Sequence, residues 1–361
     1  MSRDTQRKQL EKIRHKTVEN FGLHSSVLGS EKYTLNVVPS PSLMLDFKLG
    51  RGGFPYGGMV EVFGGNGLGK TTCIGYGTLA NVQRQGKLPA LIAMEPNWDA
   101  DWAFKLHGLD PDLILVQRPD NVQEAFAMLY DLVYETDIDY ILVDSIGAMG
   151  DQSVQGEDVK TKAYGVSGAV TSGLNAIMPR LFKSNKGLML LNQQRQGSGG
   201  TQTWYESPGG EALKHHALVR IQLKPGDKKY KAKIDGKDVL VGRELKCVFK
   251  KNKMAQAASK SAEFDFYNIE SEDYGILGVD RVSDVIKTAK VAGVIKGSSW
   301  LEHQVFPKGK VQGIVKARKF FQANPEAFDV IRSDVMAVMI QNELLAAEAN
   351  GERPALKVVE A

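Results

Sequence analysis

Eight consecutive residues, Gly64-Gly65-Asn66-Gly67-Leu68-Gly69-Lys70-Thr71, carry the sharpest chemical signal in this chain. Their spacing is G-x-x-x-x-G-K-[ST]. Glycines so placed let the backbone fold its N–H groups around phosphate oxygens. Lys70 adds a compact positive charge at the β- and γ-phosphates, and Thr71 offers a hydroxyl to Mg²⁺. The motif carries weight only when a strand precedes it and a helix follows. Met59-Val60-Glu61-Val62-Phe63 reads as that strand, and a helix-length segment follows. Three more apolar runs close on polar residues. Asp144 ends Tyr140-Ile141-Leu142-Val143, where a carboxylate beside the phosphate loop supports the Mg²⁺ shell. Glu95 ends Ala90-Leu91-Ile92-Ala93-Met94, where it could polarise an attacking water. Asn192 and Gln193 end Gly187-Leu188-Met189-Leu190-Leu191, and a Gln there could bond a γ-phosphate and report it to the loop that follows, 194–208. Many strands end in a polar residue, so Glu95 and Gln193 gain force only from company.

The elements that must position these residues follow from periodicity. The apolar runs at 59–63, 90–94, 113–116, 140–143 and 187–191 are separated by helix-length segments. That pattern suits a mostly parallel sheet covered by helices on both faces, an α/β fold. Val219–Leu223 and Leu245–Phe249 read as an antiparallel pair joined by a polar, Gly- and Lys-rich hairpin over 224–244. Gln194 to Gln202 is polar and Gly-rich, and is expected to be mobile. Ahead of the core, Leu10, Ile13, Val18 and Phe21 fall on one face of a helix over 4–21, with Asp4 as its start and Gly22 as its stop. Such a helix must dock on its own core or on a neighbouring subunit. After residue 271 the character changes to helices and short loops, ending in a long helix near 325–349. The expected organisation is an N-terminal segment 1–32, a core 33–270, a small α/β C-terminal domain 271–345 and a tail 346–361.

Composition excludes several classes. Hydrophobic residues at 42% and charged residues at 24% rule out a disordered, collagenous or repeat-dominated chain. No apolar run reaches the ~20 residues that span a bilayer, and the polar start Met1-Ser2-Arg3-Asp4 gives no secretory signal. Two cysteines, Cys73 and Cys247, make no disulfide framework or zinc cluster, so a reducing cytoplasm is expected. The net charge of +4 is mild, but its distribution is not. From Lys224 to Lys260 there are 12 Lys and Arg against 4 Asp and Glu, a surplus of eight. This reads as an anion-binding face or as a solvated, charged hairpin.

The order of the phosphate loop, Glu95, Val143-Asp144-Ser145, Asn192-Gln193, Gly209-Gly210-Glu211-Ala212-Leu213-Lys214 and Lys251-Asn252-Lys253 resembles the bacterial RecA recombinase family. So does the approach to the loop, Ser42-Leu43-Met44-Leu45-Asp46 with Gly52-Gly53-Phe54-Pro55 and Gly57. The resemblance covers roughly residues 5–325. It implies a RecA-like ATPase core that binds ATP and Mg²⁺ and forms a helical filament on single-stranded DNA. Pairing with double-stranded DNA and strand exchange would follow. Glu95 would activate water and Gln193 would sense the γ-phosphate, while Lys251 and Lys253 would reach the neighbouring subunit's ATP. Residues 64–72, ending in Thr72, together with Asp99, Trp102 and Asp144, would hold the nucleotide. Thr71 and Asp144 would serve the metal. Asp99 and Trp102 match adenine contacts, although a Trp there is also read as a plain core residue. Two loops, about 152–164 and 194–209, would hold DNA through Lys160, Lys162, Arg195, Trp204, Gly209 and Gly210, and the helix at 4–21 would pack on the adjacent subunit.

Departures from the family pattern are His215-His216 in place of an aromatic pair, Pro96 after Glu95 where His is usual, and a tail, 346–361, without strong acidity. They suit a divergent, virus-encoded or plasmid-encoded relative without tail-based autoinhibition. The leading function is therefore a DNA-dependent ATPase that catalyses homologous pairing. A ring-forming motor of the same nucleotide fold is the alternative, and a nucleotide-binding structural or signalling protein is a third class that no residue favours.

Overall fold

The computed structural model describes residues 3–21, 36–95, 98–148, 162–199, 202–255, 259–272 and 274–349. Contacts divide the chain into two units, residues 1–35 with 343–361, and residues 36–342. In the first, α1 (Arg3–Phe21) spans the expected N-terminal helix, with Asp4 in its first turn and Leu10 and Ile13 exposed. The stop expected at Gly22 lies outside the described residues.

In the second unit, β1 (Val37–Val38) and β2 (Phe54–Pro55) pair across α2 (Leu43–Leu49). Strands and helices then alternate: β3 (Gly58–Gly64), α3 (Tyr76–Arg84), β4 (Pro89–Ala93), α4 (Ala100–His107), β5 (Leu115–Gln117), α5 (Val122–Tyr134), β6 (Tyr140–Asp144), α6 (Lys162–Lys183) and β7 (Gly187–Gln193). A ribbon of β8 (Arg195–Gly199) and β9 (Gln202–Glu206) precedes α7 (Gly210–His216), β10 (Val219–Ile234), β11 (Lys237–Asn252), β12 (Ser261–Tyr267) and β13 (Gly278–Val279). The main sheet runs β13-β12-β11-β10-β3-β7-β6-β4-β5. From β10 to β5 its strands are parallel, and β11 to β13 are antiparallel. The fold is thus the expected α/β class with a mostly parallel sheet.

The strands are apolar on both faces because both faces are covered. Val60, Val62, Leu142 and Leu191 pack with Ile74 and Leu79 on one side. Met59, Ile141 and Leu190 pack with Phe126, Leu129, Leu174 and Ile177 of α5 and α6 on the other. The loops after β3, β4, β6 and β7 all leave the C-terminal edge of the parallel strands, where open α/β sheets place their ligands.

Two local expectations are corrected and one is extended. The run at 113–116 is not a strand throughout. Pro111–Leu113 form a 3₁₀ turn, because Asp110 caps it through Asp112 N and Pro111 pre-sets its first φ, so β5 starts only at Leu115. The hairpin expected over 224–244 is present as the continuation of two strands, which turn at Asp235-Gly236 with φ of 51° and 74°. Tyr230 and Ile234 on its inner side pack with Ala232, Val241, Tyr267 and Tyr274, a small apolar cluster that holds the extension. The stretch Gln194 to Gln202, expected to be mobile, contributes to an antiparallel ribbon in which Arg195–Gly199 pair with Gln202–Glu206.

Beyond β13, α8 (Arg281–Val291), the ribbon β14 (Trp300–Glu302) and β15 (Lys310–Gln312), α9 (Gly313–Ala323) and α10 (Pro325–Ala349) follow. Ile286, Leu301, Phe306, Phe321, Ile331 and Val335 form a separate core there. The last helix falls where the long helix near 325–349 was expected. Among the described residues no helix is long and apolar enough to cross a membrane.

Candidate active site

The phosphate loop leaves the end of β3 in a path that needs glycine. Gly67 and Gly69 hold φ of 66° and 87°, in the left-handed region. A Cβ on Gly67 would touch nothing within 4 Å, so conformation and not space calls for glycine there. Gly69 caps Lys70–Gly75, and its carbonyl accepts from both Cys73 N (2.9 Å) and Ile74 N (3.2 Å). This opening turn is wound as a π-helix, a form that often marks functional sites, and it passes directly into α3. The Lys70 ammonium lies back over the loop, donating to Gly64 O (3.1 Å) and Gly65 O (2.9 Å). Burial pulls its pKa down, while the charges of Asp144 and Glu95 push it up.

Asp144, at the end of β6, is 5% exposed, and its Oδ2 accepts from Thr71 Oγ1 at 2.6 Å. Burial drives this carboxyl up to about 6, with a further push from Glu95; the Thr71 hydrogen bond and the Lys70 charge oppose the rise. One residue on, Ser145 Oγ donates to Glu95 Oε1 at 2.9 Å, and Gln193 Nε2 approaches the same oxygen at a long 3.4 Å. Side chains from the ends of β4, β6 and β7 therefore converge, and Lys70 is close enough for its charge to act on both carboxylates. Ser145 was not singled out by its own chemistry; its place directly after the strand-end carboxylate was the available signal. Among the described residues no group of three His, Cys, Asp or Glu side chains could hold a metal. Thr71 and Asp144 supply one hydroxyl and one carboxylate. Mg²⁺ usually keeps several waters and takes one or two carboxylates plus substrate phosphates, so the pair fits an ion that arrives with a nucleotide. The glycine-lined loop with its lysine likewise fits a triphosphate.

A family model of the RecA N-terminal domain matches residues 8–272. The protein RecA of Pseudarthrobacter chlorophenolicus is 32% identical over 351 residues, covering 95% of this chain and 94% of the relative. That of Thermus thermophilus is 31% identical over 354 residues, covering 97% and 99%. That of Ruminococcus albus is 31% identical over 326 residues, covering 90% and 78%. The chain belongs to the RecA family. It is an ATP-dependent recombinase and a DNA-dependent ATPase, and the ring-forming alternative is not favoured.

Against that RecA assignment, the remaining expected residues fall in several places. Asp99 caps α4, its Oδ1 accepting from Trp102 N at 2.9 Å. Trp102 packs half-buried against the core, with the Lys105 ammonium 5.9 Å from its ring. Lys251 Nζ donates to Lys214 O (2.7 Å) and His215 O (2.8 Å), the last carbonyls of α7, while Lys253 is exposed. Gly209 and Gly210 open α7 with φ of 112° and 77°, and a Cβ on Gly210 would meet Ser167 Oγ of α6 at 2.6 Å. In the backbone register of the ribbon Arg195 stands opposite Glu206, and Trp204 opposite Gly197. Lys162 is the first residue of α6. Lys160 and most of the first expected DNA loop lie outside the described residues, as does Pro96. The basic hairpin is partly neutralised: Lys228 pairs with Glu244 at 2.7 Å and Lys246 with Glu263 at 2.5 Å. Lys229, Lys231 and Lys233 stay exposed on one face of β10.

Proposed function

We propose that this RecA-family chain works in the cytoplasm, assembling as a helical homo-oligomer on single-stranded DNA, with ATP and Mg²⁺ between subunits, and pairing that strand with homologous duplex DNA. The observation that carries the reading is the position of Gln193. It meets Glu95 at the candidate hydrolytic site and stands two residues before the ribbon that begins at Arg195. Bound ATP with Mg²⁺ supplies the γ-phosphoryl group and a divalent charge. Residues 64–72 wrap the phosphates, and Lys70 moves its ammonium from loop carbonyls to phosphate oxygens. Thr71 and Asp144 would hold Mg²⁺, Thr71 through its hydroxyl and Asp144 through its carboxylate, and Asp99 and Trp102 would border the base. Glu95, oriented by Ser145 and Gln193, takes a proton from the attacking water.

Lys251 and Lys253 act on the neighbouring subunit's site, so hydrolysis depends on assembly. DNA runs along Lys160, Lys162, Arg195, Trp204, Gly209 and Gly210. In this scheme residues 1–32 serve assembly, 33–270 form the ATPase core, 271–345 a C-terminal domain and 346–361 a tail. If Arg195 meets phosphate, Arg195→Ala lowers the salt dependence of single-strand binding by about 0.7 in log–log slope. Trp204→Ala costs about 1–3 kcal/mol of affinity if the ring stacks on a base, with the slope unchanged.

The deciding experiment is strand exchange from single-stranded DNA into homologous and heterologous duplexes, with electron microscopy of the complexes formed with a non-hydrolysable ATP analogue. Exchange with the homologous duplex alone, on helical filaments, is expected. Hexameric rings without exchange would overturn the reading.

A further inference from the structure

Glu61 is wholly buried in β3, one strand turn below the phosphate loop, and phosphate chemistry makes no use of it. Its Oε2 accepts from Arg220 Nε at 2.5 Å and its Oε1 from Asn192 Nδ2 at 3.2 Å. Glu61 and Arg220 are register partners in β3 and β10, and Asn192 stands opposite Phe63, two residues further along β3. The three side chains therefore share one face of the sheet. From that face Arg220 Nη2 donates to Ser207 Oγ at 3.0 Å, and Asn192 Nδ2 to Pro208 O at 2.7 Å. Ser207 and Pro208 directly follow the ribbon. Gln222, next on the same face of β10, donates to Gln194 Oε1 at 2.9 Å, directly before the ribbon. Both roots of the 195–206 ribbon are thus anchored to one buried row: Asn192, Glu61, Arg220 and Gln222. Asn192 is also the chain neighbour of Gln193, which points to the other face and meets Glu95.

A row of this kind is a poor way to gain stability. Removing two charges from water offsets most of their attraction, and an apolar pair of equal volume is often as good or better. In addition, Asn192 Oδ1 and Gln222 Oε1 are buried with no hydrogen-bond donor among the described residues. That cost is unexpected in a network built for rigidity alone, and it suits one that has a second arrangement.

We propose that Glu61 and Arg220 are positioning residues that seat both roots of the ribbon, so that its placement follows the engagement of Gln193 at the nucleotide site. The proposal rests on the recombinase reading above. Neither residue touches nucleotide or reacting atoms; each acts through the segment it holds. A strand-end amide can shift by a fraction of an ångström, and a packed polar row passes such a shift on only if it has discrete alternatives.

The test measures single-strand affinity at one protein concentration, with ADP and with a non-hydrolysable ATP analogue, for the wild type, Glu61→Gln, Arg220→Gln, their combination, Arg220→Lys and Ser207→Ala. Both single neutral variants are expected to lower the analogue-to-ADP affinity ratio by about tenfold or more. Nucleotide binding without DNA should stay within about twofold, and the double variant should be no worse than the worse single. Arg220→Lys, which keeps the charge but loses the second contact at Ser207, should fall between. Should the neutral variants fail to fold, Ser207→Ala decides with the ion pair intact: a loss of about threefold in the ratio supports the proposal, and an unchanged ratio overturns it. An unchanged ratio in well-folded Glu61→Gln and Arg220→Gln, or a parallel loss of nucleotide binding, also overturns it. A wild-type ratio of one would overturn the recombinase reading itself, and this proposal with it.

Discussion

Lys70 and Lys251 make the same local contact in two different regions. Each ammonium rests on a pair of backbone carbonyls, Gly64 and Gly65 for the first, Lys214 and His215 for the second. Lys70 is nearly buried, with Asp144 and Glu95 nearby, and those carboxylates favour its charge. Lys251 is half-buried at the C-terminus of α7, where the helix dipole favours a cation. Its surroundings are otherwise positive: burial lowers its pKa first, and Lys253 and Arg220 lower it further. The first lysine belongs to a site whose other members are already gathered within one chain. The second meets no carboxylate among the described residues, and its contacts hold a helix end that follows the ribbon. Proximity to opposite charge marks a residue that works where it lies; a cation among cations, held only by carbonyls, is one that can be given up to another anion.

The largest expected effect tests the first half of this contrast. Lys70→Ala is expected to leave a folded subunit without measurable nucleotide-dependent assembly or turnover; wild-type ATPase activity in the purified variant would break it. Next, Glu95→Gln should retain nucleotide binding while hydrolysis falls by about 10²–10⁴-fold. A fall below tenfold in single-turnover assays would take the base role from Glu95.

The second half rests on Lys251→Ala. Losing the contact with the α7 end should cost at most about 1 kcal/mol in denaturant unfolding. DNA-stimulated hydrolysis should nevertheless drop by about tenfold or more, since cations supplied across an interface stabilise transferring phosphoryl groups strongly. Mixed with wild-type subunits, the variant should poison its neighbour's site. A defect confined to the variant's own site would erase the contrast between the two lysines.

The smallest effect concerns pH. Asp144, raised to about 6 from 3.8, favours its protonated form in the folded chain. Its contribution to stability is therefore fully present below pH 3.8 and lost as pH rises through about 6. Between pH 7.5 and 5 without nucleotide, the wild type should gain thermal stability relative to Asp144→Asn. In the proposed site the ionised carboxylate serves Mg²⁺, so nucleotide affinity is expected to weaken over the same fall in pH. A stability difference that stays constant across that range would show that the carboxyl is not raised.

Much of this molecule is local and was legible in the residues. Glycine spacing announces the phosphate loop because Gly64 leaves no room for a Cβ beside the Leu223 carbonyl and Gly69 holds a left-handed φ that favours glycine. Apolar runs announce β3, β4, β6 and β7 because strands covered on both faces must be apolar on both. Where a local signal was passed over, as with Pro111 before β5 or Asp235-Gly236 at the hairpin turn, the expected boundary slipped.

The rest depends on strand order, which no local pattern encodes. Ser145 meets Glu95 because β4 lies beside β6 in the sheet, although 50 residues separate the two. Glu61 meets Arg220 across 159 residues because β10 returns to the flank of β3. Tyr230 and Tyr267 stack because β12 folds back along the hairpin, which extends the two expected strands well past Leu223 and Leu245. The residues themselves determined the phosphate loop, its lysine, the strand-end carboxylates and the α/β class, since each follows from contacts within a few positions of chain. Which buried charge faces which, and so how the ribbon is held to the nucleotide edge, was decided only by the tertiary structure, because a buried charge selects its partner by position in space and not by distance along the chain.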